Sequence, residues 1–298
     1  MKHQVATISE SRRRFLTAAG SSLFLAACAA PQTASLSRDG FLDVPGGKLY
    51  YETAGEGTPL IFLHGFAVDH RAWDAQFKAL ATSYRVVRFD LRGFGRSTVP
   101  SGPYSHSDDL LHLMRHLAIG QSYLAGASMG GRIAIDFALE HSQKVLALAT
   151  INPVISGWEW SGEWLASYAP IVQAAKRGEL SAAKAAFLAH PIFATIRAQP
   201  EAYAQLRRMV DEYSGWHFQH ADPARNLVPP ALTRLERLKV PTLLVSGAQD
   251  LPDFQRMTRH LEREAQARRV GLPGVGHMAH LEAPRPVSEA LQAFFRAS

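Results

Sequence analysis

A repeated alternation constrains this chain more than any other feature. Short apolar runs bounded by Gly or Pro are each followed by a segment of helix length. "PLIFLHGF" precedes "WDAQFKALATS", "YRVVRFD" precedes "SDDLLHLMRHLA", "SYLAGAS" precedes "MGGRIAIDFALEHS", and "KVLALATINP" precedes a long helical region. The runs are apolar throughout instead of alternating in polarity, which predicts strands buried on both faces in a parallel sheet covered by helices. Ahead of them, "FLDV", "PGGK" and "LYYETAG" read as a hairpin. The alternation lapses after Pro153 and resumes at "VPTLLVSGAQD", followed by "FQRMTRHLEREA", "RRVGLPGVGH" and a closing helix "PVSEALQAFFRA". The intervening 154–239 has helical periodicity and no convincing strand. A structureless loop of that length is improbable, so residues 41–153 and 240–298 are expected to form one α/β domain with 154–239 inserted as a helical cap. Residues 28–40 are small and polar and read as a tether.

The N-terminus reads as an address. The apolar stretch Phe15–Ala27 is too short and too rich in small residues to span a bilayer, and it suits a signal-peptide core. Ser11-Arg12-Arg13-Arg14-Phe15-Leu16 resembles the twin-arginine export signal. Leu25-Ala26-Ala27-Cys28 resembles a lipoprotein lipobox, which implies cleavage before Cys28 and lipidation of its sulfur; a plain secretory signal cut at a nearby alanine is the alternative. The expected product is an exported, periplasmic protein that meets the membrane only through a lipid anchor. Ala29 stands where an Asp commonly retains lipoproteins at the inner membrane, which points to the outer one. Residues 1–27 hold four cations against Glu10, so they account for +3 of the net +6. The remaining charge is too small to suggest nucleic acid as a partner. Cys28 is the only cysteine, so no internal disulfide is available.

Chemistry is concentrated at predicted strand ends. Gly126-Ala127-Ser128-Met129-Gly130 matches GxSxG between a predicted strand and a predicted helix. A serine raised on such a sharp turn needs neighbours without bulk, and the helix N-terminus offers unpaired N–H groups where an oxyanion would form. A serine hydroxyl requires a base and the base an orienting carboxylate. Asp250 and His277 follow in that order, each after a late strand, and a parallel sheet gathers such ends on one edge. The backbone amides of Phe66, in "FLHGF", and Met129 are the expected oxyanion donors.

These residues resemble the α/β-hydrolase superfamily, in particular its small capped esterase-like members, over residues 41–298. "DLRGFGRS" (90–97) matches the family's D-x-R-G-x-G-x-S loop, which is structural. The resemblance implies an eight-stranded, mostly parallel sheet with helices on both faces and a helical cap after strand 6. It also implies hydrolysis of a small-molecule substrate without cofactor or metal. Carboxylic ester cleavage through an acyl-enzyme on Ser128 is the expected activity. Lactone hydrolysis, carbon–carbon bond hydrolysis and cofactor-free perhydrolysis use the same triad, and a noncatalytic binding protein is the rival from another class. Dehalogenases and epoxide hydrolases of the superfamily place Asp where Ser128 stands.

Other residues compete for these roles. Asp253 and His280 lie three positions beyond Asp250 and His277 and are expected to begin the next helices. Asp90 reads as structural, Asn152 leaves no carboxylate at the end of the sixth strand, and His64 is expected to hydrogen-bond without titrating. His112 and His116 have metal-compatible spacing but no convincing third ligand. Trp158, Trp160 and Trp164 open the cap; packing is their default, and lining an apolar substrate pocket is the functional alternative.

Overall fold

In the computed structural model, residues 37–298 are described. The readings placed on residues 1–27, Cys28 and the first part of the tether lie outside them. The strands are β1 (Arg38–Val44), β2 (Gly47–Ala54), β3 (Pro59–Leu63), β4 (Arg85–Phe89), β5 (Ser122–Ala127), β6 (Val145–Ile151), β7 (Thr242–Gly247) and β8 (Arg268–Leu272). The helices are α1 (Asp74–Leu80), α2 (His106–His116), α3 (Met129–Glu140), α4 (Gly162–Lys176), α5 (Leu180–Ala189), α6 (Pro200–Glu212), α7 (Trp216–Gln219), α8 (Pro252–Glu264), α9 (Ala279–Glu282) and α10 (Pro284–Ala297).

The strands form one sheet in the order β1-β2-β4-β3-β5-β6-β7-β8. Pairing is antiparallel for β1–β2 and β2–β4 and parallel from β4 to β8. The β1–β2 hairpin turns at Pro45-Gly46, where Gly46 takes φ 77°. Proline before a left-handed glycine is the chemistry of a type II turn. β1 begins at Arg38, so three residues assigned to the tether are strand: Arg38, Asp39 and Gly40 pair with Thr53, Glu52 and Tyr51. Backbone pairing at the open edge of a sheet tolerates polar side chains, and this start carries no apolar signal.

The continuous apolar runs have the physical basis expected of them. Within β3, Ile61 and Leu63 enter the core on one face while Leu60 and Phe62 enter the core on the other. One face is covered by α3 and α8, with Ile133, Phe137, Phe254, Met257 and Leu261 buried against the sheet. The other is covered by α1 and α10, where Val287, Leu291, Phe294 and Phe295 recur at helical spacing as one buried stripe. Between β6 and β7 the chain carries α4 to α7 and no strand of the sheet, as its periodicity predicts. No described helix is long and apolar enough to cross a membrane.

Candidate active site

The turn from β5 into α3 places Ser128 at φ 51° and ψ −113°, a left-handed conformation that costs a residue with a Cβ on the order of 1–3 kcal/mol. The surroundings hold it there. Ser128 N–H donates to Ile151 O at 2.9 Å, and Ser128 O accepts from Arg132 N–H and Val154 N–H, both at 3.1 Å. The flanking glycines are steric necessities: a Cβ at Gly126 would run into the Gly130 carbonyl, and one at Gly130 into the carbonyls of Leu63 and His64.

Asp250 follows β7 and His277 follows β8, and both are buried. His277 Nδ1 lies 2.8 Å from Asp250 Oδ2, while Asp250 Oδ1 accepts from Leu251 N–H at 2.7 Å. With Nδ1 engaged, Nε2 is the ring nitrogen left for the cavity of about 360 Å³ that His277 lines with Ser128, Phe66 and Met129. Ser128 Oγ and His277 Nε2 share that cavity without a hydrogen bond between them, an arrangement that commonly tightens when substrate binds. Neither the Phe66 nor the Met129 N–H donates to an acceptor among the described residues. Two unpaired amides therefore flank the serine, one of them at a helix N-terminus.

Residues with no signal in the sequence hold this arrangement together. Asn152, at the end of β6, donates through Nδ2 to Gly276 O and His277 O and accepts through Oδ1 from Gly247 N–H. Glu282 clasps the histidine loop from both sides, accepting from Gly276 N–H at 2.9 Å and Met278 N–H at 3.0 Å. Both Glu282 oxygens are needed, so Glu282→Gln turns one acceptor into a donor facing an N–H. The expected loss is about 2 kcal/mol of stability, read as a melting midpoint lower by about 4–8 °C in a chain of this size. We expect kcat to fall with KM little changed. A variant with wild-type melting and turnover would show that the clasp does not matter.

The competitors are employed elsewhere. Asp253 lies in α8 and accepts from Trp158 Nε1–H, Ser161 Oγ–H and Arg256 Nη2–H. Asp90 accepts from the backbone N–H groups of His70 and Arg96 and from the His70 ring. In the same loop Arg92 makes a buried two-pronged pair with Asp109 at 3.0 and 2.6 Å, which ties this segment to α2. His64 Nε2 accepts from Leu91 N–H, which places the ring proton on Nδ1 beside Gly65 O. His112 and His116 bond Asp108 O and the Tyr51 hydroxyl.

Asp69, His70 and Asp90 do bring potential ligand atoms within 4.8 Å of one another. Their electrostatics is already balanced: burial disfavours the charged His70 ring, but hydrogen bonds to Asp90 and Glu52 outweigh it and lift its pKa to about 9. Asp69 is taken up by Arg71.

Trp160 and Trp164 line the cavity, stacked at 4.4 Å between ring centroids. Trp158 does not reach it: its indole N–H is drawn to Asp253 and its ring packs on His260, which corrects its assignment to the substrate pocket. His190, absent from the sequence reading, closes the cap side. It accepts Ile192 N–H at Nδ1, leaving Nε2–H for Ser167 Oγ at 2.9 Å, and burial beside His277 pushes its pKa down to about 4.

The description "alpha/beta hydrolase fold" matches residues 58–284. The chain belongs to that family, and hydrolase activity is what the membership supports. It is 31% identical over 264 residues to the dihydrolipoyllysine-residue acetyltransferase component of the acetoin cleaving system of Pseudomonas putida, covering 84% of this chain and 68% of that one. Alignments with other curated relatives span 42% and 43% of those proteins' length. Among solved structures, the enol-lactonase from Burkholderia xenovorans LB400 superposes with a TM-score of 0.72 at 26% identity, over 86% of this chain and 100% of that one. A thermophilic esterase from Thermogutta terrifontis gives 0.72 at 26% identity, over 87% and 98%.

Proposed function

We propose that the protein is a serine carboxylesterase acting on small to medium, largely apolar carboxylic esters. The observation that carries this reading is the single cavity in which Ser128, Phe66, Met129 and His277, held from behind by Asp250, meet under an aromatic cap side. Ser128 Oγ attacks the ester carbonyl as His277 Nε2 takes its proton. The Phe66 and Met129 amides stabilise the oxyanion, and His277 returns the proton to the leaving alcohol. Water then cleaves the acyl-enzyme by the same steps in reverse. Asp250 fixes the imidazole tautomer and stabilises its cation.

The walls select the acyl group. Trp160, Trp164, Phe187, Phe193 and Phe254 offer hydrophobic area and no charge. Each methylene buried is worth about 0.8 kcal/mol, so kcat/KM for p-nitrophenyl esters is expected to rise about fourfold per carbon and to fall once the cavity is full. The resemblance to an enol-lactonase makes cyclic esters the second reading, since ring opening uses the same serine and amides. A panel of nitrophenyl esters run beside lactones and vinylogous diketones decides between them. Any lactone or diketone turned over faster than every ester would overturn the carboxylesterase reading.

A further inference from the structure

Behind the cavity wall three neighbouring buried side chains carry polar atoms that have no partner among the described residues. They are Trp73 with its Nε1, Gln76 with its Oε1, and His280 with both ring nitrogens. All are at most 2% exposed. The Trp73 and His280 rings lie 4.8 Å apart at 33°, and Gln76 Nε2 donates to His280 O at 3.1 Å and Pro284 O at 3.2 Å. These two carbonyls fix the amide, because a flipped Gln76 would point oxygen at oxygen. Gln76 Oε1 is therefore an acceptor in want of a donor, and the indole N–H of Trp73 is a donor in want of an acceptor. Trp73 and Gln76 are three residues apart at the start of α1, a spacing that puts both on one helix face.

His280 supplies the amphoteric member. Burial, with His277 adding to it, pushes its pKa down to about 3, so the ring is neutral and presents one N–H and one lone pair. Buried groups of such complementary type are satisfied by ordered water when protein atoms do not reach them. His280 also lines the cavity that contains Ser128 and His277, so a molecule bonded to it stands on the route to the acyl carbonyl. Trp160, Trp164, Phe187, Phe193 and Phe254 make the cap side of the cavity apolar, and an apolar acyl group lying on them would exclude water from that side.

We propose that Trp73, Gln76 and His280 form a water-binding site behind the cavity wall, which His280 joins to the cavity, and that His280 is a positioning residue for the water that hydrolyses the acyl-enzyme. This rests on the ester reading above. In that step the water oxygen bonds to the acyl carbon and its proton passes to His277 Nε2. The carbon–Oγ bond then breaks, the proton moves from His277 to Ser128 Oγ, and a carboxylic acid leaves.

His280→Phe keeps a ring against Trp73 and removes both nitrogens. With p-nitrophenyl butyrate, quenched-flow kinetics should show the acylation burst within twofold of wild type and deacylation slowed about tenfold, the loss expected of one hydrogen bond. Intact mass spectrometry should then show butyryl-enzyme accumulating, and His280→Asn, which retains a donor and an acceptor, should restore much of the rate. If His280→Phe does not fold, Trp73→Phe tests the same site by removing the indole N–H together with the pyrrole part of the ring; melting is expected to fall, and the same change in partition between acylation and deacylation is the readout. Acylation and deacylation falling together, or neither changing, overturns the role. A high-resolution crystal structure without density for water between Trp73, Gln76 and His280 overturns the site. A wild type that is never acylated overturns the ester reading and the role with it, and the water density still decides the site.

Discussion

Ser128→Ala is expected to lower kcat by about six orders of magnitude while leaving the protein folded. No other group in the cavity can take over the attack. Cys28 is the only cysteine of the chain and precedes the catalytic domain. The phenol of Tyr168, which also lines the cavity, is pushed up to about 12 by burial and stays protonated. The substitution is conformationally neutral, because alanine carries the same Cβ at φ 51° and the bonds that hold the turn are made by backbone atoms of residue 128. A fluorophosphonate probe should label the wild type and not the variant, with circular dichroism and melting unchanged. Labelling that survives the substitution places the nucleophile elsewhere. A wild type that is folded yet unlabelled favours a noncatalytic binding protein on this fold.

The parts of this architecture that were legible in the sequence are those fixed by pattern and chain order. Strands apolar at every position have to be buried on both faces, so Ile61 and Leu63 could be separated from Leu60 and Phe62 only by a sheet with two cores. A parallel sheet then brings the ends of β5, β7 and β8 to one edge, which is why Ser128, Asp250 and His277 could be grouped across 149 residues of chain. What was not legible is decided by partners rather than by period. Trp158, Trp160 and Trp164 look alike in sequence, yet Asp253 captures only the first. Glu282 and Asn152 act on backbone atoms of the histidine loop, and a side chain whose partners are N–H and C=O groups leaves no complementary residue to search for. The nearest signal for Glu282 was an acid five residues beyond the proposed base, in "GHMAHLEAP". The start of β1 at Arg38 was hidden for a related reason, since an edge strand tolerates polar residues.

Asp250→Asn is expected to lower kcat about ten-thousandfold at neutral pH with KM within twofold, and the cause lies in a neighbouring backbone donor. Asp250 serves two N–H groups at once, Leu251 N–H through Oδ1 and the His277 ring through Oδ2. An asparagine has one oxygen for these two donors. The Leu251 amide is fixed by the chain, so the oxygen goes to it and the side-chain NH₂ turns toward His277. The imidazole must then present a lone pair at Nδ1, which moves its proton to Nε2 and leaves no base facing Ser128. Asp253 cannot rescue the variant, because Trp158, Ser161 and Arg256 occupy it at the junction with the cap. Asp253→Asn is therefore the control: it should lose less than tenfold in kcat and instead lower the melting midpoint. If Asp250→Asn loses less than tenfold while Asp253→Asn loses more, the carboxylate has been assigned to the wrong residue. If both retain turnover, the base works without an orienting acid and the tautomer argument fails.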